Sequence, residues 1–413
     1  MDKASTKDGA FDVFVVFLKL GLTSFGGPMA HLGFFRKELV ERRGWLTDAQ
    51  FGELLAICQF LPGPASSQLG FSLGLLRAGW LGAIAAFIAF TLPSALLLMA
   101  FAWFMPLLSG QMAQAAIHGL KIVAFAVVAD AVLGMSKKLC PDWPRRLIAV
   151  LAAGVLLVAE NSSMQLFVVG GGALVGVSLY KFGGAIKLHA MALDGAKPGH
   201  VEVLNLHYGV RHASALMLLF VLLLIGLPML ASSEAGLLSV ADAFYQAGAL
   251  VFGGGHVVLP LLEDSVVTTG WVSKESFLAG YGASQAMPGP MFAFSAYLGG
   301  LIATGQSAWM GALVALVFMF LPGFLLIGAA LPFWRMIAAN SAAASAIAMV
   351  NAAVVGLLAA ALYDPIFVSA IVNVFDLVIG LVGFVLLCVW RWSALSVVAW
   401  CVLASVTCAW LVG

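Results

Sequence analysis

The chain has 413 residues, of which 62% are hydrophobic and only 9% are charged, whereas soluble domains carry roughly 25% charged residues. Apolar stretches of 18 or more residues recur along it, which is typical of a helical protein that crosses the membrane several times. A formal net charge of +1 argues against electrostatic binding of nucleic acid or another polyanion. The five cysteines show no metal-ligand spacing, so neither a metal site nor a disulfide framework is predicted.

Apolar segments follow one another as six, one and six, which predicts an all-α polytopic membrane protein with about 13 hydrophobic segments. The first six cover 11–35, 51–76, 79–105, 113–135, 147–159 and 164–180. A polar stretch, 181–212, then precedes a connecting segment, 213–230. The last six cover 241–262, 277–303, 308–332, 340–362, 366–390 and 393–412. The polar N-terminus, 1–12, shows no signal-peptide pattern, so none is expected.

Short motifs of the first six segments return in the last six, in the same order and at nearly constant spacing. The pairs are Phe25-Gly26-Gly27 with Phe252-Gly253-Gly254, Gly44-Trp45 with Gly270-Trp271, Gln59 and Pro62-Gly63-Pro64 with Gln285 and Pro288-Gly289-Pro290, and Phe90-Thr91-Leu92-Pro93 with Met319-Phe320-Leu321-Pro322. Ordered matches of this kind indicate an internal duplication. We therefore predict a first repeat over 1–180, a cytoplasmic linker with a connecting span over 181–240, and a second repeat over 241–413.

The basic residues predict how the segments are oriented, because short cytoplasmic loops are enriched in lysine and arginine. If each broken segment is re-entrant, Lys274 alone falls on the opposite side, and only Lys19 and Lys121 lie within segments. If the broken segments cross fully, Lys274 moves to the cytoplasmic side but the four basic residues at 36, 37, 42 and 43 move to the opposite side, so the re-entrant arrangement fits better. In both arrangements each half has an even number of crossings and one span joins the halves. The repeats are therefore predicted to have inverted topology.

Four segments contain glycine and proline where a helix is expected to continue. Glycine costs about 1 kcal/mol and proline about 3 kcal/mol relative to alanine inside a helix, so these runs break it. Inverted repeats with interrupted helices are typical of secondary transporters, whose substrate sites lie at the breaks. A helix that restarts after a break directs free N–H groups and partial positive charge towards the site, which favours an anion. A structural kink that only allows close helix packing is the alternative.

Several polar side chains lie near the breaks. Gln59 and Gln285 each precede a proline run by three residues, where an amide can bind substrate or cap the broken helix. Lys19 lies about two turns before the first glycine run, where it can attract an anion, extend to the membrane surface or form a structural ion pair. Glu53 and His256 are the candidates for proton coupling. An interfacial position for Glu53 and a packing role for His256 are their alternatives.

The combination of these motifs resembles the chromate ion transporter family in its long, two-domain bacterial form. The resemblance implies efflux of chromate from the cytoplasm, driven by the membrane potential or a proton gradient, with sulfate as a structural mimic. The second repeat has Gly255 where the first has Pro28, so the two breaks are not equivalent. The predicted substrate-binding residues are Lys19, Ser24, Phe25, Gly26, Gly27, Gln59, Pro62, Gly63, Pro64, Phe252, Gly253, Gly254, Gln285, Pro288, Gly289 and Pro290.

We therefore predict a secondary active transporter, not an enzyme, in the bacterial inner membrane, with a cytoplasmic N-terminus and a periplasmic C-terminus. Its expected partners are chromate or a related oxyanion and the lipid bilayer; protons and a second copy of the chain are further options, and no cofactor, metal or nucleic acid is expected. Transport of another oxyanion, such as sulfate or molybdate, or of an organic anion is the alternative. A membrane-embedded enzyme is disfavoured because no HExxH, GxSxG or phosphatase residue set occurs.

Overall fold

The computed structural model describes residues 9–25, 27–107, 110–159, 163–182, 208–232, 234–253, 255–302, 304–338 and 340–412. Within these ranges all regular secondary structure is helical, as the composition predicts. Seven helical stretches among the described residues are long and apolar enough to cross a membrane. The prediction of a multi-pass helical membrane protein is therefore confirmed.

Within the described ranges, eight α-helices belong to the first part of the chain and ten to the second. The first eight are α1 Ala10–Thr23, α2 Gly27–Phe35, α3 Asp48–Phe60, α4 Ala65–Phe104, α5 Gln111–Leu139, α6 Trp143–Val158, α7 Ser163–Phe182 and α8 Val210–Leu230. The others are α9 Leu237–Leu250, α10 Val258–Val266, α11 Lys274–Ser284, α12 Phe294–Leu301, α13 Ala308–Ala330, α14 Trp334–Ala338, α15 Ser341–Ala361, α16 Val368–Ala370, α17 Val374–Cys388 and α18 Ala394–Val412. These bounds follow the predicted apolar segments closely.

One predicted boundary, the start of segment 366–390, is wrong. Residues up to Ala370 continue α15 through an irregular turn at Asp364, and the next long helix begins only at Val374. The cause is local, because the Asn373 side chain accepts a hydrogen bond from the Asp376 N–H and the Asp376 carboxylate accepts one from the Asn373 N–H. This reciprocal cap fixes the start of α17. An apolar count alone does not detect it.

The chain reverses direction at each predicted break. Lys19 Nζ lies 3.1 Å from Glu38 Oε2, although residues this far apart on one straight helix would be about 28 Å apart. Likewise, the Tyr297 hydroxyl donates a hydrogen bond of 2.8 Å to the Ser276 carbonyl, across the Pro288-Gly289-Pro290 run. The other two broken segments fold back as well, since α3 packs against α4 and α9 against α10. Each broken segment is therefore a helical hairpin.

The duplicated motifs adopt the same conformations in both halves. Gly21 of α1 packs so closely on the Phe90 carbonyl of α4 that a Cβ would lie 2.7 Å from it, and the corresponding Gly248 of α9 packs in the same way on the Met319 carbonyl of α13. Glycines with positive φ also recur in equivalent turns: Gly44 and Gly270, Gly63 and Gly289, Gly79 and Gly305. Small residues let helices approach closely in membranes. The two halves are thus built by the same contacts.

In each half, one long helix packs mainly against helices of the other half. The long helix α5 of the first half packs mainly against α18, α11 and α17 of the second half, whereas α15 of the second half packs mainly against α7 and α6 of the first. A large apolar core draws on both halves. Neither half therefore buries its helices without the other, and the four breaks are held at the centre of one interlocked unit.

Candidate functional site

The four helix breaks meet in a reciprocal pair of backbone hydrogen bonds. The Gly63 N–H donates to the Val251 carbonyl at 2.7 Å, and the Gly289 N–H donates to the Ser24 carbonyl at 2.9 Å. Each Pro-Gly-Pro run is thereby joined to the glycine run of the opposite half. We call these two hydrogen-bonded pairs, Gly63 with Val251 and Gly289 with Ser24, the crossing. It brings together all four motifs that the sequence analysis selected.

The two Pro-Gly-Pro glycines can only be glycine at this place. Gly63 has a φ of 123° and Gly289 a φ of 91°, a conformation that residues with a Cβ rarely adopt. A Cβ on Gly289 would lie 2.9 Å from Ser94 Oγ and 3.0 Å from the Phe90 carbonyl oxygen, and one on Gly63 would lie 3.0 Å from the Gly323 Cα. The crossing therefore depends on close backbone contact between the halves.

A glutamine that the sequence analysis missed, Gln68, fastens the crossing. Its side chain is fully buried and its Nε2 donates to the Pro62 carbonyl at 2.9 Å and to the Gly323 carbonyl at 3.0 Å. The break leaves the Pro62 carbonyl without an intrahelical partner, and the same amide also reaches the Gly323 carbonyl of α13 in the other half. In the sequence, Gln68 could have been recognised as an amide side chain in the first helical turn after a Pro-Gly-Pro run.

The two predicted glutamines lie in different environments. Gln285 is buried, at the end of α11, and its Nε2 approaches the Met291 sulfur at 3.4 Å. Gln59 is half-buried near the end of α3. The amide of Gln285 thus has only a weak sulfur acceptor, and substrate contact by either glutamine stays a prediction.

The remaining predicted motif residues flank the crossing. Phe25 and Phe252 are half-buried on either side of it, and Gly27 and Gly253 both have positive φ. Gly26 and Gly254 lie outside the described residues. Pro62, Pro64, Pro288 and Pro290 stand beside the two glycines that donate the reciprocal hydrogen bonds. After the breaks, α2 starts at Gly27 and α4 starts at Ala65, and their first N–H groups have no partner within the helix.

Lys19 is not a free cation inside the protein. Its side chain is 48% exposed and its Nζ pairs with Glu38, a carboxylate that also binds Arg42 and Arg43. Burial alone would raise the pKa of Glu38, but hydrogen bonds from Arg43 and Lys19 outweigh it and the pKa is lowered. The geometry thus favours the structural ion pair among the three roles considered for Lys19, and substrate contact by this residue stays a prediction.

Lys121 is the better placed cation. It is half-buried in α5, ten residues after the start of the helix at Gln111, which is about 15 Å along its axis. Within the described part of the chain it makes no hydrogen bond or ion pair, and Asp130 does not pair with it. The neighbouring Leu120 carbonyl touches Gly282 of α11, three residues before Gln285. Lys121 is therefore the next residue in the chain after the one at which α5 contacts the Pro-Gly-Pro hairpin of the second half.

The two proton-coupling candidates differ in their contacts. His256 follows the second glycine run and its Nδ1 lies 2.7 Å from the Tyr281 hydroxyl, so one ring nitrogen is already engaged. Glu53 is half-buried in α3 and has an interaction partner. Neither side chain is shown to carry a proton during transport, and both roles stay predictions.

The comparison with known protein families follows the same duplication. The family model described as Chromate transporter matches residues 11–177 and 238–408. The chain belongs to the chromate transporter family. The predicted family is thus confirmed, and both members of every paired break lie within the matched ranges.

Relatives of this chromate transporter family member are found in several organisms. The "Probable chromate transport protein" of Synechococcus elongatus is 32% identical over 348 residues, which cover 84% of this chain and 81% of that protein. The "Chromate transport protein" of Cupriavidus metallidurans is 29% identical over 82% of this chain and 78% of its own length. That of Pseudomonas aeruginosa is 28% identical over 76% of this chain and 70% of its own length. No solved structure matches the chain.

Proposed function

We propose that this membrane transporter exports chromate from the cytoplasm through the crossing of its four helix breaks. The observation that carries the proposal is the reciprocal pair of hydrogen bonds from Gly63 to Val251 and from Gly289 to Ser24. Two repeats whose interrupted helices are joined to each other at the breaks resemble the organisation of a secondary transporter site. Chromate is the substrate named for the relatives in Cupriavidus and Pseudomonas.

The chemistry of the crossing suits a small dianion. The helices α2 and α4 begin at the breaks and direct N–H groups and partial positive charge there. The side chains that the structure describes at the crossing are neutral, and Lys121 supplies a cation without a partner in the described chain. A lysine inside a transmembrane helix is costly unless it serves a function. Backbone dipoles and one ammonium group together would offset part of the desolvation cost of the dianion.

Export of chromate needs no energy source beyond the membrane potential. Moving one elementary charge across the membrane is worth about 2.3 kcal/mol per 100 mV. A dianion that leaves a cytoplasm at negative potential gains twice this amount. Proton counter-flow through His256 or Glu53 is an additional option that the potential alone does not require.

The orientation follows from the hairpins and the basic residues. If the hairpins α1–α2, α3–α4, α9–α10 and α11–α12 are re-entrant in the bilayer, the basic residues outside the segments gather on the cytoplasmic side, with Lys274 opposite. This arrangement places the N-terminus in the cytoplasm and the C-terminus in the periplasm of a bacterial inner membrane. The two repeats then have inverted topology.

Uptake of radiolabelled chromate into everted membrane vesicles tests the proposal. Vesicles that contain the protein and are energised to a positive interior should accumulate chromate above vesicles from cells without it. Dissipation of the membrane potential should abolish the difference. Equal uptake in both preparations would refute chromate export.

The second candidate substrate is another tetrahedral oxyanion, because backbone N–H groups and a lysine recognise charge and shape more than the central atom. A competition series with sulfate, molybdate and phosphate in the same vesicles separates the alternatives. Chromate export predicts that unlabelled chromate competes at the lowest concentration. Stronger competition by one of the other anions would assign the protein to that anion.

A further inference from the structure

Three buried polar side chains of the first repeat have no hydrogen-bond partner within the described chain. They are Ser24, His31 and Thr91, which are 0%, 1% and 1% exposed. The unpartnered atoms are Ser24 Oγ, both ring nitrogens of His31 and Thr91 Oγ1. Leaving a buried polar group unpaired costs free energy, so such groups are rare unless a ligand or water satisfies them.

The three residues lie on segments that pack together beside the hydrogen bond from Gly289 to Ser24. The His31 ring stands edge-on to the Phe90 ring, with centroids 5.5 Å apart, and Thr91 follows Phe90 directly. The Ser24 carbonyl accepts the hydrogen bond from Gly289, and a Cβ on Gly289 would lie 3.0 Å from the Phe90 carbonyl oxygen. Phe90 and Gly289 thus link the segments that carry Ser24, His31 and Thr91.

The His31 side chain is directed at the start of α2. Side chains on a helix lean towards its N-terminus, and the His31 ring lies near the backbone of Ser24, just before the helix. The helix α2 has nine residues, and its first N–H groups have no intrahelical acceptor. Hydroxyl, imidazole and backbone donors therefore gather at one helix N-terminus.

The second repeat builds the same backbone without these polar groups. Val251 corresponds to Ser24 and accepts the equivalent hydrogen bond from Gly63. Val258 and Phe320 correspond to His31 and Thr91, and all three counterparts are buried and apolar. The polar side chains are thus not needed to form the crossing. Their presence in one repeat only is explained by a ligand.

We propose that Ser24, His31 and Thr91 form the pocket that holds the transported oxyanion, at the N-terminus of α2 in the first repeat. This inference rests on the proposed function and specifies which of the two non-equivalent breaks binds the anion. The hydroxyl groups and one imidazole N–H donate to oxyanion oxygens, together with the free N–H groups of α2.

The pocket is tested by transport kinetics of the full-length protein in proteoliposomes, with chromate as the probe. Thr91→Val keeps the shape and removes the hydroxyl, and His31→Phe keeps a planar ring without donors. Loss of one hydrogen bond to a charged ligand should raise KM for chromate about tenfold, with a smaller change in kcat. His31→Gln, which retains an N–H donor, should recover part of the loss.

Ser405→Ala is the matched control, because Ser405 in α18 is also a buried hydroxyl without a partner in the described chain but belongs to a different helix contact. Its KM should equal that of the wild type. Thermal unfolding identifies any variant that fails to fold, in which case Ser24→Ala replaces it. If the folded pocket variants have wild-type KM values, the pocket assignment is wrong, but the proposal of chromate export is unaffected. Absence of transport by the wild type would instead overturn the proposed function.

Discussion

At the scale of single residues, the crossing depends on a few side chains that hold backbone groups released by the breaks. Gln68 satisfies carbonyls of Pro62 and Gly323, while Glu38 gathers Lys19, Arg42 and Arg43 at the far end of the first hairpin. One amide thus joins the two halves, and one carboxylate closes a hairpin. The positively charged residues near Glu38 are consequently occupied, which leaves Lys121 as the candidate for anion attraction.

Substitution Gln68→Leu tests the role of the amide. The change keeps the approximate size of the side chain but removes the hydrogen bond to the Pro62 carbonyl and the one to the Gly323 carbonyl of α13. Each lost pairing should cost about 1–3 kcal/mol, so the unfolding temperature in detergent should fall clearly. Ser136→Ala is the control, because the Ser136 hydroxyl only bonds to a carbonyl of its own helix. An unchanged unfolding temperature in Gln68→Leu would show that the amide does not stabilise the crossing.

Substitution Lys121→Met tests the proposed cation. Methionine retains an apolar stem and removes the charge, so chromate uptake at concentrations below KM should fall at least about tenfold. Lys138→Met, at the exposed end of the same helix, should leave uptake unchanged. If Lys121→Met transports at the wild-type rate, Lys121 does not contribute to anion attraction.

Most of the residues at the crossing were predictable from the sequence, because the glycine and Pro-Gly-Pro motifs disfavour a continuous helix and recur in the same order in both halves. Pro-Gly-Pro inside an apolar segment has a strong local reason to break a helix. His31 and Thr91 were not predictable in this way, because their lack of partners is only visible once α2 is folded against α4. Lys19 was given a substrate role because no sequence pattern indicates that Glu38, in the next arm of the hairpin, lies beside it.

At the scale of elements, the broken helices are hairpins whose turns need glycine. Substitution Gly289→Ala places a Cβ in a backbone region that disfavours it and against Ser94 and Phe90. The backbone must then shift, so we expect a lower unfolding temperature and loss of chromate uptake. Gly134→Ala in α5 is the control, because nothing lies within 4 Å of its added Cβ. Wild-type uptake by Gly289→Ala would show that transport does not need this contact.

Glu263, near the end of α10, should make the stability of the protein depend on pH. Burial raises the pKa of Glu263 to about 7, against a smaller opposing effect of Lys274. A carboxylic acid with a raised pKa in the folded state binds its proton more tightly there than in the unfolded chain. It therefore stabilises the fold at low pH, and this contribution is lost as the pH rises from about 4.5 through about 7.

Substitution Glu263→Gln removes this titration. Between about pH 5 and about pH 8, the unfolding temperature of this variant should decline less than that of the wild type. At about pH 8 the variant should unfold at a higher temperature than the wild type. Glu234→Gln, an exposed carboxylate in another turn, should retain the wild-type slope. Identical slopes for Glu263→Gln and wild type would rule out Glu263 as the titrating group.

The number and order of the elements were predictable because apolar length and helix-breaking residues act locally. The start of α17 was not, because it depends on the reciprocal cap between Asn373 and Asp376 rather than on hydrophobicity. The non-helical backbone at Ala78 and Gly79 within α4, by contrast, falls at the predicted boundary between segments 51–76 and 79–105. Boundaries thus depend on single capping and turn residues.

At the scale of the whole molecule, two halves of similar construction complete each other. The helix α5 packs mainly against α18, α11 and α17, and α15 packs mainly against α7 and α6, so each half surrounds a long helix of the other. Duplication was visible in the sequence, but this exchange was not, because motif order does not specify which helices pack together. The polar pocket in one repeat only makes the otherwise similar halves functionally distinct.

A structure of the protein with bound tungstate tests the central claim most directly. Tungstate is a tetrahedral dianion like chromate, and its heavy atom is easily located by anomalous scattering. The account predicts that tungstate lies at the crossing, beside Ser24 and the first turn of α2, and that chromate displaces it. Tungstate bound elsewhere in the protein, and displaced from there by chromate, would contradict the account.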